Sequence, residues 1–248
     1  MSEATGPKTA EQIIRNLHNF NRKERDHLIK FALSDSPSHP QVSKDLWRAI
    51  RPNGGKRQRP NPKDIFVGMD YHLNWLYAAL VLSNQYEKGG IDNQINEWPD
   101  FAQVDGKPIQ PNQQDVDLLI AFPHSDGVLH LVLIEAKFGS QWKTDQFLSK
   151  TERLEAIKRV SDNLNPKVEI KWRFMLASPY RYGPKKQAFA PSKLGELPSW
   201  MTEGTTESPK LPYFQFGPGS LYHVKRERDA DGSPWEVLPV NLRGRSFE

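Results

Sequence analysis

Between Asp115 and Lys137 the chain carries two continuous apolar runs, DVDLLIAF (115–122) and VLHLVLIEAK (128–137), joined by PHSDG (123–127). Short apolar runs bounded by turn residues read as β-strands, and a five-residue connection containing glycine reads as an antiparallel hairpin. Neither run alternates cleanly with polar residues, so the hairpin must be covered on both faces and lie at the centre of a sheet. That requirement selects an α/β architecture, with a mixed sheet between helices.

The rest of the chain supplies the cover. Residues 9–33 show Ile13, Ile14, Leu17, Phe20, Leu28, Ile29, Ala32 and Leu33 at helical spacing, with a break into two helices at Asn19–Asn21. Val42–Ile50 reads as a further helix ended by Pro52. Residues 66–87 read as one long helix, carried by Met69, Leu73, Leu76, Tyr77 and Leu80 and stopped by Gly89-Gly90. Residues 89–114 are polar, with a short strand expected near Phe101–Val104. Residues 141–164 read as a helix, and Val168–Ala177 alternates with period two as a strand. Residues 179–219, rich in Pro, Gly, Ser and Lys, read as a surface excursion, followed by a late hairpin of Leu221–Lys225 and Trp235–Leu238. The expected organisation is an N-terminal helical region with a basic loop (1–65), a core (66–178) and a loop-rich extension (179–248).

The chemistry concentrates at the open mouth of the hairpin. With the turn centred near Ser125, Asp117 at the start of one strand lies opposite Glu135 at the end of the other. Alternation puts Glu135 and Lys137 on the same side. Two adjacent carboxylates repel unless a cation joins them. Oxygen donors of this kind suit Mg²⁺ or Mn²⁺, which retain waters and accept phosphate oxygens. The backbone carbonyl of Ala136 is a further candidate ligand. A lysine beside such an ion orients a water and offsets charge on an attacked phosphorus. A bare Glu-x-Lys is common by chance; its place at the end of a buried strand, after a partner opening Asp-x-Asp, makes it informative.

The stretch DVDLLIAF…LHLVLIEAKFG, flanked by helices, resembles the PD-(D/E)XK nuclease superfamily, over roughly residues 66–178. The resemblance implies a restriction-endonuclease-like α-β-β-β-α-β core, with N-terminal helices and the C-terminal extension outside it. It implies Asp117, Glu135 and Lys137 in the Asp, acidic and Lys roles. Asp115 competes with Asp117, which is favoured because the apolar strand starts immediately after it. The literal Pro-Asp pair is absent, since Val116 precedes Asp117. Members often add an acidic residue from the first core helix, for which Asp70 is the candidate ahead of Glu87 and Glu97; as a plain structural residue it would complement the helix dipole. They also often place a glutamine on the following helix, where Gln146 is preferred to Gln141. The implied activity is Mg²⁺-dependent hydrolysis of phosphodiester bonds in DNA, and homodimers would suit paired cuts. The alternatives are a non-catalytic nucleic-acid-binding module on the same fold and a scaffold that meets a partner protein through its basic loops.

Composition narrows the field around this reading. The chain has no cysteine, which excludes disulfides, thiolate metal sites and a cysteine nucleophile. Lys+Arg exceeds Asp+Glu by 34 − 30 = 4, a mild lean toward polyanionic partners. The segment 51–63 holds five of these cations and no anion: Arg51, Lys56, Arg57, Arg59 and Lys63 are candidates for phosphate contact. The seven histidines show no metal-binding spacing, and neither a P-loop nor a dinucleotide fingerprint occurs. No apolar run approaches the roughly 20 residues that span a bilayer, so a cytoplasmic protein with no membrane partner is expected.

Overall fold

A computed structural model describes residues 8–33, 42–51, 60–85, 114–124, 127–136, 144–164, 168–178, 197–205, 208–216, 222–226 and 235–239. Three helices come first: α1 (Lys8–Phe20), α2 (Glu24–Leu33) and α3 (Lys44–Ile50). The expected interruption near Asn21 is present, and Ser43 caps α3 by accepting the Leu46 N–H. Then follow β1 (Phe66–His72), α4 (Leu73–Gln85), β2 (Asp115–Pro123), β3 (Leu129–Ala136), α5 (Thr144–Leu164) and β4 (Ile170–Ser178). The extension contributes β5 (Glu203–Thr205), β6 (Ser208–Lys210), β7 (Tyr213–Gln215), β8 (Tyr222–Arg226) and β9 (Trp235–Pro239).

The main sheet is mixed and five-stranded, in the order β1-β2-β3-β4-β7. The β2–β3 hairpin is antiparallel and central, as the apolar runs require; β1 joins β2 antiparallel, while β4 and β7 continue in parallel. Helix α5 makes the crossover that parallel β3 and β4 need. One face is covered by α1, α4 and α5, whose Ile13, Leu17, Leu76, Leu80, Leu154 and Ile157 bury against Leu119, Leu131, Leu133 and Phe174. The other face carries α3, with Trp47 and Ile50 against Ile120, Phe122, Val132, Ile134 and Met175. Among the described residues no helix is long and apolar enough to cross a membrane.

The single helix expected over 66–87 is wrong in its first third: 66–72 is a strand, and the helix starts at Leu73. The cause is a slip in phase. Phe66 and Tyr71 face the same core layer although five residues separate them, so period two is hidden. The slip falls at Asp70, whose φ of 46° makes it the only non-glycine residue with positive φ among the described residues. Beside it, Gly68 is dictated by packing: a Cβ there would lie 2.7 Å from the Phe66 ring and 3.0 Å from that of Tyr71.

The stretch 179–219 is more than surface. Met201 is fully buried in the core, and Tyr213–Gln215 is the fifth strand, paired with Leu176–Ser178. Three-residue strands are too short to show a period. The late hairpin is present as β8–β9, a separate two-stranded sheet. Phe101–Val104 and Gly89-Gly90 lie outside the described residues.

The exposed edge of β1 is closed by α2. Asp26, fully buried, accepts the Met69 N–H at 3.1 Å, the Asn21 amide at 2.6 Å and the Lys30 ammonium at 2.7 Å. Lys30 also donates to the Val67 carbonyl. An edge strand with its donor and acceptor occupied by side chains has no free template for another chain.

Candidate functional site

Three carboxylates fall in one lateral row of the sheet. The β1–β2 ladder runs from Phe66↔Ala121 to Met69↔Leu118 and resumes at Tyr71↔Val116, so the omitted step sets Asp70 opposite Asp117. The β2–β3 ladder ends at Leu118↔Ile134, and one further step sets Asp117 opposite Glu135. The phase slip in β1 has a counterpart here: Val116 and Leu119, three apart, also face the same layer. Both strands therefore change phase at the row that carries the acids.

At this point the hairpin stops pairing backbone with backbone. The Ala136 N–H donates instead to Asp117 Oδ2, at 2.6 Å. A charge-assisted bond of this length fixes the carboxylate beside the end of β3. Glu135 is 6% exposed, on the layer of Leu131 and Leu133. A carboxylate so buried requires a partner. Lys150, from α5, donates to Glu135 Oε1 at 2.5 Å and to the Asp115 carbonyl at 2.7 Å.

Asp115 is held differently. Its Oδ2 accepts from Lys23, in the α1–α2 connection, at 2.6 Å, and its Oδ1 is buried with no hydrogen bond. Arg153, almost fully buried, donates to Gln114 Oε1 at 3.1 Å and to Asn74 Oδ1, which ties the start of β2 to the start of α4. Burial lowers the Arg153 pKa to about 10, against the opposing pull of the Asp115 charge. Asp115 thus sits against two cations two steps outside the acidic row, opposite His72, whereas Asp117 lies beside Glu135.

The other candidates divide as follows. Asp70 is in the row but on a strand, which removes the helix-dipole account of its charge. Ala136 is at the mouth, with its N–H engaged by Asp117. Gln146 lies within α5, with its side chain outside the described residues. Lys137, Gln141, Lys56, Arg57 and Arg59 also lie outside them. Arg51 is the C-cap of α3, and Lys63 lies exposed in a 3-10 turn just before β1. Both ends of the basic segment start near the turn end of the hairpin, where Trp47 meets Phe122 at 5.0 Å between ring centroids. Phe122 is five residues from Asp117, or about 17 Å along the strand. The described cations of the segment are therefore not brought to the acidic row.

Lys150, Arg153 and Lys23 were not among the residues singled out from the sequence. A signal for one of them, Lys150, exists. Phe147, Lys150, Leu154 and Ile157 recur at helical spacing, so a cation falls on the apolar face of the helix that follows Glu-x-Lys. Lys23 is separated from Asp115 by 92 residues, and no local pattern announces the pair.

The donor set at the row is oxygen-only. Two carboxylates at adjacent register positions, one of them fixed by a backbone N–H, match the partial protein coordination that Mg²⁺ or Mn²⁺ accepts. Among the described residues no group of three or more His, Asp or Glu side chains is arranged to hold a metal ion. The described donor set is therefore two carboxylates. Neither a family model, nor a curated protein, nor a solved structure matches this chain.

Proposed function

We propose that the chain is a metal-dependent nuclease of the restriction-endonuclease-like fold, which hydrolyses phosphodiester bonds of DNA at the Asp117–Glu135 row. The observation that carries this reading is the placement of Asp117 and Glu135 at adjacent register positions where the central hairpin opens, with Asp117 Oδ2 fixed by the Ala136 N–H.

Asp117 and Glu135 would hold Mg²⁺ or Mn²⁺, with the Ala136 carbonyl as a backbone candidate and Asp70 as the acid next in the row. When bound, such an ion supplies Lewis-acid stabilisation of charge on phosphate oxygens and acidifies water. The protein's part is positional. The hairpin presents Asp117 already held by the Ala136 N–H, and this carboxylate cannot rotate away without losing its backbone donor. Lys137, two residues beyond Glu135 in the sequence, would orient the attacking water and counter charge on the phosphorus. Gln146 and the basic segment Arg51, Lys56, Arg57, Arg59 and Lys63 are assigned to substrate contact.

A second reading has its own observation. Glu135 is already paired with Lys150, as it would be in a non-catalytic nucleic-acid-binding module. One experiment separates the two. The protein is incubated with supercoiled plasmid, single-stranded DNA and RNA, with Mg²⁺, Mn²⁺ or EDTA, beside Asp117→Asn, Glu135→Gln and Lys137→Ala. The nuclease reading expects metal-dependent DNA cleavage that falls to background in the first two variants. Cleavage surviving in both refutes the site. Salt-sensitive DNA binding without cleavage supports the binding module instead.

A further inference from the structure

Lys150 projects from the apolar face of α5, between Phe147 and Leu154, and ends on the acidic row. Its ammonium bridges two strands: the Asp115 carbonyl at the start of β2 and Glu135 Oε1 at the end of β3. The side chains of the pair are 17% and 8% exposed, so the charge is largely shielded from solvent and salt. Lys23, from the α1–α2 connection, and Arg153, one turn along α5 from Lys150, lie against Asp115. Lys150 therefore touches Glu135 itself, whereas Lys23 contacts Asp115.

We infer that Lys150 is the internal counter-ion of the Asp117–Glu135 pair, and that a divalent ion binds there against its charge, so that Lys150 sets the metal affinity of the site. The inference rests on the metal-binding half of the function proposed above. Without metal, the ammonium holds Glu135 Oε1 at the row, so the carboxylate is positioned before an ion arrives. With metal, Glu135 must serve two cations, one on each oxygen, or release the ammonium to solvent or substrate. Either outcome opposes binding. A unit charge about 6 Å from a divalent ion changes its affinity by about tenfold even at water-like screening, and by more at the lower effective dielectric of a part-buried pair. A purely structural lysine predicts the opposite sign, because its removal would disorder Glu135 and weaken the site.

The test is Mn²⁺ binding to the full-length protein, without nucleic acid, by calorimetry and by the loss of free-Mn²⁺ signal in electron paramagnetic resonance. Lys150→Met is expected to bind Mn²⁺ about tenfold tighter or more, Lys150→Arg to stay near the parent, and Glu135→Gln to lose binding. Lys150→Gln retains a donor without the charge. It is expected to tighten binding in the same direction, and it replaces the methionine variant should that one fail to fold by circular dichroism. Mn²⁺ is also expected to raise the melting temperature of Lys150→Met more than that of the parent. Unchanged or weaker binding in the folded neutral variants, with the parent binding normally, overturns the role of Lys150 and leaves the nuclease reading standing. Absence of Mn²⁺ binding in the parent and in every Lys150 variant overturns both.

Discussion

The clearest test of the architecture behind the site is Asp26→Ala. Asp26 is 1% exposed and accepts three donors: the Asn21 amide, the Met69 N–H and the Lys30 ammonium. Truncation leaves the Met69 N–H without its acceptor and strands a part-buried ammonium that retains the Val67 carbonyl and the face of the Phe66 ring but loses the Asp26 counter-charge. Breaking a buried ion pair from one side costs about 3–5 kcal/mol. The orphaned backbone donor belongs within that range rather than on top of it, because the three bonds form one network. Urea unfolding followed by tryptophan fluorescence reads the loss as a lower midpoint at constant slope. The double variant Asp26→Leu/Lys30→Met removes both charges and is expected to recover most of the loss, because the penalty arises from the unpaired charge and not from the missing pair. Hydrogen exchange at the Met69 amide should accelerate in Asp26→Ala ahead of global unfolding. A loss below about 1 kcal/mol, or a double variant as unstable as the single one, would refute the view that α2 clamps the edge of β1.

Gly68→Ala is expected to destabilise by about 1–3 kcal/mol by the same urea assay, because the new methyl meets two buried rings that have no room to retreat. Tyr71 is fully buried, with its hydroxyl donating to the Leu17 carbonyl, and burial raises its pKa well above 10.0. A raised folded-state pKa gives stability that is complete below pH 10 and lost as pH climbs through the folded value; Tyr71→Phe should therefore flatten the alkaline fall in melting temperature, and an unchanged fall would count against this. Asp117→Ala removes the acceptor of the Ala136 N–H and is expected to cost about 1–3 kcal/mol, with the thermal shift on adding Mn²⁺ lost as well. A full Mn²⁺ shift in that variant would remove Asp117 from the ligand set.

What could be read from the sequence follows from where physical signals are local. The β2–β3 hairpin announced itself because both its faces are buried, leaving an apolar run that no helix of that length explains. The helices α1, α2, α3 and α5 were legible from their spacing, and so was the opposition of Asp117 and Glu135, which needs only a turn and a period of two. The strand β1 was not. Asp70 in the left-handed region shifts its phase, so Phe66, Tyr71 and the following helix blend into one apparent helical stripe. The short β7 and the buried Met201 carry no period at all, and their placement is decided by partners in β4 and the core. Lys23 was missed for a related reason: it gains its meaning only when distant segments meet beside the acidic row.

That meeting is also the link between fold and chemistry. A sheet covered on both faces should exclude carboxylates, yet one lateral row here carries Asp70, Asp117 and Glu135. The row falls where β1 and β2 both change phase and where β3 donates to a side chain instead of a strand. The slip coincides with the end of backbone pairing in the hairpin; there α5 delivers an ammonium to the buried Glu135, while the α1–α2 connection delivers one to Asp115. The local irregularity that hides β1 in the sequence is therefore the same one that makes room for a charged site. Straightening it should cost the site before it costs the fold. Asp70→Gly relieves the left-handed backbone and is expected to be neutral or slightly stabilising. Asp70→Val, β-branched and intolerant of positive φ, should destabilise β1 and, by pulling Asp117 out of register with Glu135, weaken Mn²⁺ binding in protein that still melts cooperatively. If Asp70→Val melts and binds Mn²⁺ as the parent does, the slip is incidental to the site.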